Sequence, residues 1–154
     1  MQRRVALSLI GLSSWLLACS SPLAPNEVLE LSQAKRRWAG RPFQDYSFEY
    51  QAACGFCLPF FYQKTRVSVS NGQVVGVVYV ANDSALAQNV WAYFPTIDTL
   101  FAWIARSQDA DWVKDVKAQY DPELGYPTVI ATIPKPGIAD VGGTDYVSNL
   151  VPIP

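Results

Sequence analysis

The dipeptide Asn71-Gly72 constrains this chain more than any other two residues in it. It separates two β-rich runs, KTRVSVS at 64–70 and QVVGVV at 73–78. Both residues tolerate positive φ, which a two-residue hairpin turn requires if its twist is to match that of the strands. In such a turn Val69 is expected opposite Val74, and Val67 opposite Gly76.

A period of two recurs elsewhere. Residues 45–52 place Tyr46, Phe48, Tyr50 and Ala52 on one side and Ser47, Glu49 and Gln51 on the other, the pattern of a half-buried strand. Further strands are predicted near 112–120, 126–133 and 146–151. A turn at 121–125 joins the first two, and a loop marked by Pro134, Pro136, Gly137, Gly142 and Gly143 joins the last two. Two segments read as helices. The first opens with Asn26 as N-cap and has Glu27 and Glu30 in its first turn. Its apolar face is Val28, Leu31, Ala34 and Trp38, and Gly40 and Pro42 stop it. The second is capped by Thr96, with Ile97, Leu100, Phe101 and Ile104 at i, i+3, i+4 and i+7. Residues 81–95 are a polar and aromatic connection. The order helix, strand, hairpin occurs twice, without a residue-level repeat. It predicts an α+β domain of two layers, an antiparallel sheet of about five to six strands with both helices on one face.

The first nineteen residues have another purpose. Arg3 and Arg4 precede a mostly apolar run at 5–17, the layout of a secretory leader. Thirteen residues fall short of the ~18–20 that span a bilayer, and the alternative is a buried N-terminal helix. Leu16-Leu17-Ala18-Cys19 resembles the bacterial lipobox, although Leu17 is bulkier than the commonest residue there. The resemblance implies diacylglyceryl transfer to the Cys19 thiol, cleavage after residue 18 and acylation of the new amine. Two or more acyl chains hold a protein stably on a membrane. The expected division is a signal peptide at 1–18, a lipidated tether at 19–26 and one domain at 27–154. Ser20 and Ser21 lack an Asp resembling an inner-membrane retention signal. The expected address is therefore the cell envelope, on the outer membrane facing the periplasm in a host with two membranes.

Composition narrows the chemistry. The formal charge is −1, or −3 without Arg3 and Arg4, so no polybasic surface for nucleic acid is expected. Lys35, Arg36 and Arg37 diverge around a helix and read as solvated. The chain has no histidine. That excludes Ser-His-Asp and Cys-His catalysis and His-ligated zinc or haem.

The series Tyr46-x-Phe48-x-Tyr50, Cys54-x-x-Cys57, Val67-x-Val69-x-Asn71-Gly72, Thr96-Ile97-Asp98-x-Leu100-Phe101 and Tyr120-Asp121-Pro122-x-Leu124-Gly125-Tyr126-Pro127 is more specific. It resembles a family of small bacterial lipoproteins whose domain has no known function. The likeness covers most of residues 38–133. It implies a fold and an address and supplies no activity. The family's Asp after the LGYP strand is replaced near Pro134, and Gly142-Gly143 interrupt its acidic stretch, leaving Asp140 and Asp145.

Three groups could carry chemistry. Cys54 and Cys57 are the pair that remains once Cys19 is lipidated, and outside the cytoplasm a disulfide is expected. A thioredoxin-like site would need the first cysteine at a helix N-terminus, whereas this pair follows a strand. Zinc would need two more ligands. The favoured role is a structural bridge at the bend between the first two strands. The aromatic loop holding Phe56, Phe60, Phe61 and Tyr62 is either core or a partner contact. Trp91, Tyr93 and Phe94 share that ambiguity. The carboxylates Asp121 and Glu123, Asp109 and Asp111, and Asp98 fit turn and helix-end roles better than acid–base pairs. No catalytic residue, metal or cofactor is assigned. The expected function is a lipid-anchored module that binds an envelope protein or a small ligand, with thiol–disulfide exchange at Cys54 and Cys57 as the alternative.

Overall fold

The computed structural model describes residues 25–138 and 141–154. The leader, Cys19 and most of the predicted tether lie outside the described residues. Helix α1 spans Pro25–Ala39, β1 Tyr46–Cys54, β2 Thr65–Ser70, β3 Gln73–Tyr79, α2 Ile97–Ser107, β4 Val113–Tyr120, β5 Pro127–Pro134 and β6 Gly143–Pro152. Short 3₁₀ turns at Pro59–Tyr62 and Gln88–Tyr93 interrupt the connections. The six strands form one sheet in the order β3-β2-β1-β6-β5-β4, and every pairing is antiparallel. Two three-stranded meanders thus lie side by side, joined where the first strand pairs with the last.

Alternation along β1 decides which face is covered. Tyr46, Phe48, Tyr50 and Ala52 are all buried. Val67 and Val69 of β2, Val77 of β3, Ile130 of β5 and Val147 of β6 share their side of the sheet. Both helices pack on that face. Leu31, Ala34 and Trp38 of α1 are buried, as are Ile97, Leu100, Phe101 and Ile104 of α2. The Trp38 ring meets Tyr46 edge-on at 5.2 Å, and Phe101 stacks on Tyr120 at 6.2 Å. Truncating a ring as completely buried as Phe48 typically costs about 3–5 kcal/mol.

Polar contacts fasten the helices to the same strand. The Tyr46 hydroxyl accepts from the Ile97 backbone N–H at 3.2 Å, satisfying one of the orphan donors of α2. The indole N–H of Trp38 donates to Asp98 Oδ1 at 3.1 Å. Asp98 is thus an inter-helix link as well as a helix-start anion. Thr96 caps α2 by accepting from the Thr99 N–H, and the Thr99 side chain accepts from the Thr96 N–H in return. Burial pushes the Tyr46 phenol up to about 12, with the Ile97 hydrogen bond opposing the shift.

The structure corrects four local expectations. Among the described residues helix α1 already includes Pro25, so Asn26 lies inside the helix and not at the expected cap position. Val28 is exposed, so the buried face begins at Leu31. In the hairpin Val69 does face Val74, but Val67 faces Val77, and Ser68 takes Gly76. The extra residue, Val75, bulges out and is half exposed. Without this bulge Gly76 would point into the core and Val77 to solvent, so one inserted residue keeps the valine inside. Gly143 opens β6, where a loop was expected.

The turn before β5 shows why its motif holds a glycine. Asp121 Oδ1 accepts from the N–H groups of Glu123 and Leu124, and the Gly125 N–H donates to the Asp121 carbonyl. Gly125 has φ +79°, and a Cβ there would strike the Ala34 carbonyl oxygen and lie 2.8 Å from the Arg37 Cβ. The glycine lets α1 rest directly on the turn. Gly125→Ala is therefore expected to lower stability by about 2 kcal/mol or more, from the unfavourable φ and the displaced helix together. Urea or thermal unfolding checks this, and an unchanged midpoint would contradict it.

Candidate functional site

Strand β6 carries an acid onto the buried face. Its register sets Val147 opposite Tyr50 and Asp145 opposite Ala52, and both partners point at the helices. Asp145 follows the same alternation inward. The Tyr50 hydroxyl donates to Asp145 Oδ1 at 2.6 Å. Among the described residues the Asp145 side chain has no other hydrogen-bond partner and no ion-pair partner.

Two cavities meet at this pair. One of about 190 Å³ is bounded by Tyr50, Ala52, Cys54, Cys57, Phe61, Trp103, Thr132 and the start of β6. The other, of about 290 Å³, lies between Tyr50, Tyr93, Pro95, Thr99, Leu100 and Trp103. Tyr50, Trp103 and Asp145 line both. The walls are aromatic because rings converge here from several elements. Tyr50 meets Phe61 edge-on at 5.9 Å and Phe94 at 6.3 Å, and Phe61 lies 5.1 Å from Phe94. Helix α2 supplies Trp103, whose ring is 6.5 Å from Trp112 at the approach to β4.

The disulfide closes one end of the cleft. Cys54 and Cys57 are bonded, with Cα atoms 5.5 Å apart, where β1 gives way to the 3₁₀ turn. The Tyr62 hydroxyl donates to the Cys54 carbonyl at 3.0 Å, and Gln51 donates to the Tyr62 carbonyl at 2.8 Å, so the bend is tied back onto β1. A Cβ at Gly143 would stand 2.7 Å from the Cys54 Cβ and 3.0 Å from the Ala53 carbonyl oxygen. Glycine at that position lets β6 begin hard against the bridge.

The aromatic loop divides. Phe60 and Phe61 pack against the core, whereas Phe56 is 80% exposed and Tyr62 is 47% exposed. Phe94 is buried, and Trp91 is partly buried with its indole N–H donated to the Leu86 carbonyl at 3.0 Å. Tyr93 is exposed on one side and lines the second cavity on the other. The carboxylates singled out by sequence do not converge. Asp121 is consumed by its turn, Asp109 and Asp111 follow the end of α2, and Asp98 binds Trp38. On the opposite sheet face, burial would raise the Glu49 carboxyl. Hydrogen bonds from Asn149, Lys64 and Ser148, with the Lys64 charge, hold it below the usual range instead. Its ammonium partner is 3.2 Å away and half exposed, so that pair adds little stability. Among the described residues no three His, Cys, Asp or Glu side chains gather as a metal site.

Sequence reasoning missed Asp145 as a site residue. The predicted strand began one residue later, at Tyr146. Extending the alternation back from Val147 would have placed an acid on the core face.

Burial pushes the Asp145 carboxyl above the ordinary carboxylate range, and the Tyr50 hydrogen bond offsets part of that. Burial likewise raises the Tyr50 phenol, reinforced by the Asp145 charge and the bond between them. The folded state therefore holds the Asp145 proton more tightly than the unfolded chain does. That contribution is fully present below the unfolded pKa and is lost as pH rises through the folded one. Asp145→Asn keeps an acceptor for Tyr50 and removes the charge. It is expected to raise Tm at neutral pH, with the gain shrinking as pH falls into the carboxylate range. Tyr50→Phe leaves the carboxylate without its donor and is expected to cost about 1–3 kcal/mol at neutral pH. Calorimetric melts across pH check both. A Tm difference for Asp145→Asn that does not depend on pH would show that the charge is not the cause.

No curated protein and no solved structure matches the chain. A profile of a family of unknown function, DUF6174, matches residues 30–152. That span takes in both helices from Glu30 onward and all six strands, and the chain belongs to this family.

Proposed function

We propose that the protein is a lipid-tethered envelope module whose folded domain binds a small ligand in the cleft around Asp145. The observation that carries this reading is a partly buried acid on the core face of the sheet, held by a single tyrosine, at the junction of two cavities with aromatic walls. Concave, largely apolar sites with a few convergent polar groups are where small molecules bind. The tether is supported by the leader-like layout of the first eighteen residues and the lipobox resemblance at Cys19, where two or more acyl chains would hold the domain at a membrane face. Among the described residues no helix is long and apolar enough to cross a bilayer. In a host with two membranes the proposed location is the periplasmic face of the outer one.

One observation favours a second reading. Cys54 and Cys57 line the same cavity as Asp145. In thiol–disulfide exchange a substrate thiolate would attack one sulfur and the other would leave as a thiolate, with a partly buried carboxyl nearby to take part in proton transfer. Cys54 ends a strand and does not open a helix, which weighs against it, since a helix N-terminus is a usual activator of the first cysteine in such a pair. The structural role predicts a reduction potential below about −300 mV. A higher value, with dithiol oxidation lost in Cys54→Ser, would favour exchange.

The tether is tested by growth with labelled palmitate. Label is expected in the wild-type chain and not in Cys19→Ala, and an unlabelled wild-type chain would remove the proposed location. The cleft is tested by ligand-observed screening of the full chain in a neutral detergent. Saturable binders lost in Trp103→Ala support it, and hits indifferent to that change would move the site elsewhere.

A further inference from the structure

The ligand class follows from what the cleft lacks. Asp145 faces both cavities, yet none of the described residues lining them is a lysine or arginine. The chain has no histidine to serve instead. Asp145 Oδ1 is taken by Tyr50, and its other oxygen has no hydrogen-bond donor among the described residues. Even partly buried, a carboxylate on the core face without a cation is costly unless something else compensates it. The surrounding groups suit that compensation. Tyr50, Phe61 and Trp103 offer aromatic surface around the acid, and the negative faces of such rings attract cations.

We propose that this cleft binds a small primary organic ammonium ion, with Asp145 as its counter-ion and Tyr50, Phe61 and Trp103 as its apolar walls. This rests on the reading of the cleft as a ligand site given above. The ammonium donates to the free Asp145 oxygen, while its hydrocarbon part fills space between the rings. Tyr50 holds the carboxylate in place and keeps one oxygen occupied, so the other is left for the ligand. An anion would meet Asp145 with no positive group to offset the repulsion, and a neutral alcohol would leave the charge uncompensated.

Three probes of nearly one shape separate these cases: n-butylammonium, 1-butanol and butyrate. Each is titrated into the full chain in a neutral detergent by calorimetry, with protein-free micelles as the blank, and followed by the indole N–H resonances in NMR spectra. The ammonium is expected to bind about tenfold or more tightly than the alcohol, a difference of about 1.4 kcal/mol, and to shift the Trp103 resonance. Asp145→Asn, whose fold is checked by its melting transition, is expected to remove that preference. Saturable binding of the alcohol or butyrate at equal or better affinity, lost in Trp103→Ala, would overturn the cation assignment and leave the cleft as a ligand site. No saturation by any probe into the millimolar range, with no movement of Trp103, would overturn both.

Discussion

Three rings spaced two residues apart on one strand organise this domain. Tyr46, Phe48 and Tyr50 project from β1 onto a single face, and all three are buried there. Tyr46 packs on Trp38 of α1 and accepts a hydrogen bond from the start of α2. Tyr50 reaches the aromatic turn and the acid on β6. Because β1 also pairs with β2 and β6, it joins the two meanders into one sheet. Burial of these rings supplies the non-directional drive, and the tyrosine hydroxyls add direction by specifying which backbone and which side chain they meet.

The same strand explains why the cleft sits where it does. Toward its C-terminal end β1 changes from large rings to Ala52 and then Cys54, so the core thins. Opposite it, β6 offers Asp145 and Gly143, neither of which fills the space a larger apolar side chain would occupy. Into the cavity beside the disulfide the helices send Trp103 alone. A well-packed hydrophobic layer therefore gives way to two small cavities with one acid between them. An acid on the core face conflicts with the burial pattern around it, and local conflicts of this kind concentrate at functional sites. The disulfide keeps the bend at this end from splaying, and the family profile extends across every strand that contributes to the corner.

Local patterns made most of the elements legible. The Asn71-Gly72 turn, the alternation at 45–52, the Thr96 cap and the i, i+3, i+4, i+7 face of α2 depend on contacts within a few residues, and the structure contains all four. Departures occur where distant groups decide. The Val75 bulge exists because Val77 has to meet the core, a demand absent from the turn itself. Asp98 looks like an ordinary helix-start acid until Trp38, sixty residues away, is brought to it. Alternation alone can put Asp145 on the core face, but its partner Tyr50 lies ninety-five residues earlier in the chain.

The sequence by itself determined the identity of the strands and helices, the antiparallel α+β class, and the candidate export and lipid signals at the N-terminus. Those features are written in short-range periodicity and in residues whose backbone preferences act locally. Only the tertiary structure decided that β6 inserts between β1 and β5, which acid faces inward, and which rings surround it. Strand order and cavity shape come from packing between segments distant in sequence, and a period of two assigns each side chain a face without naming its neighbour.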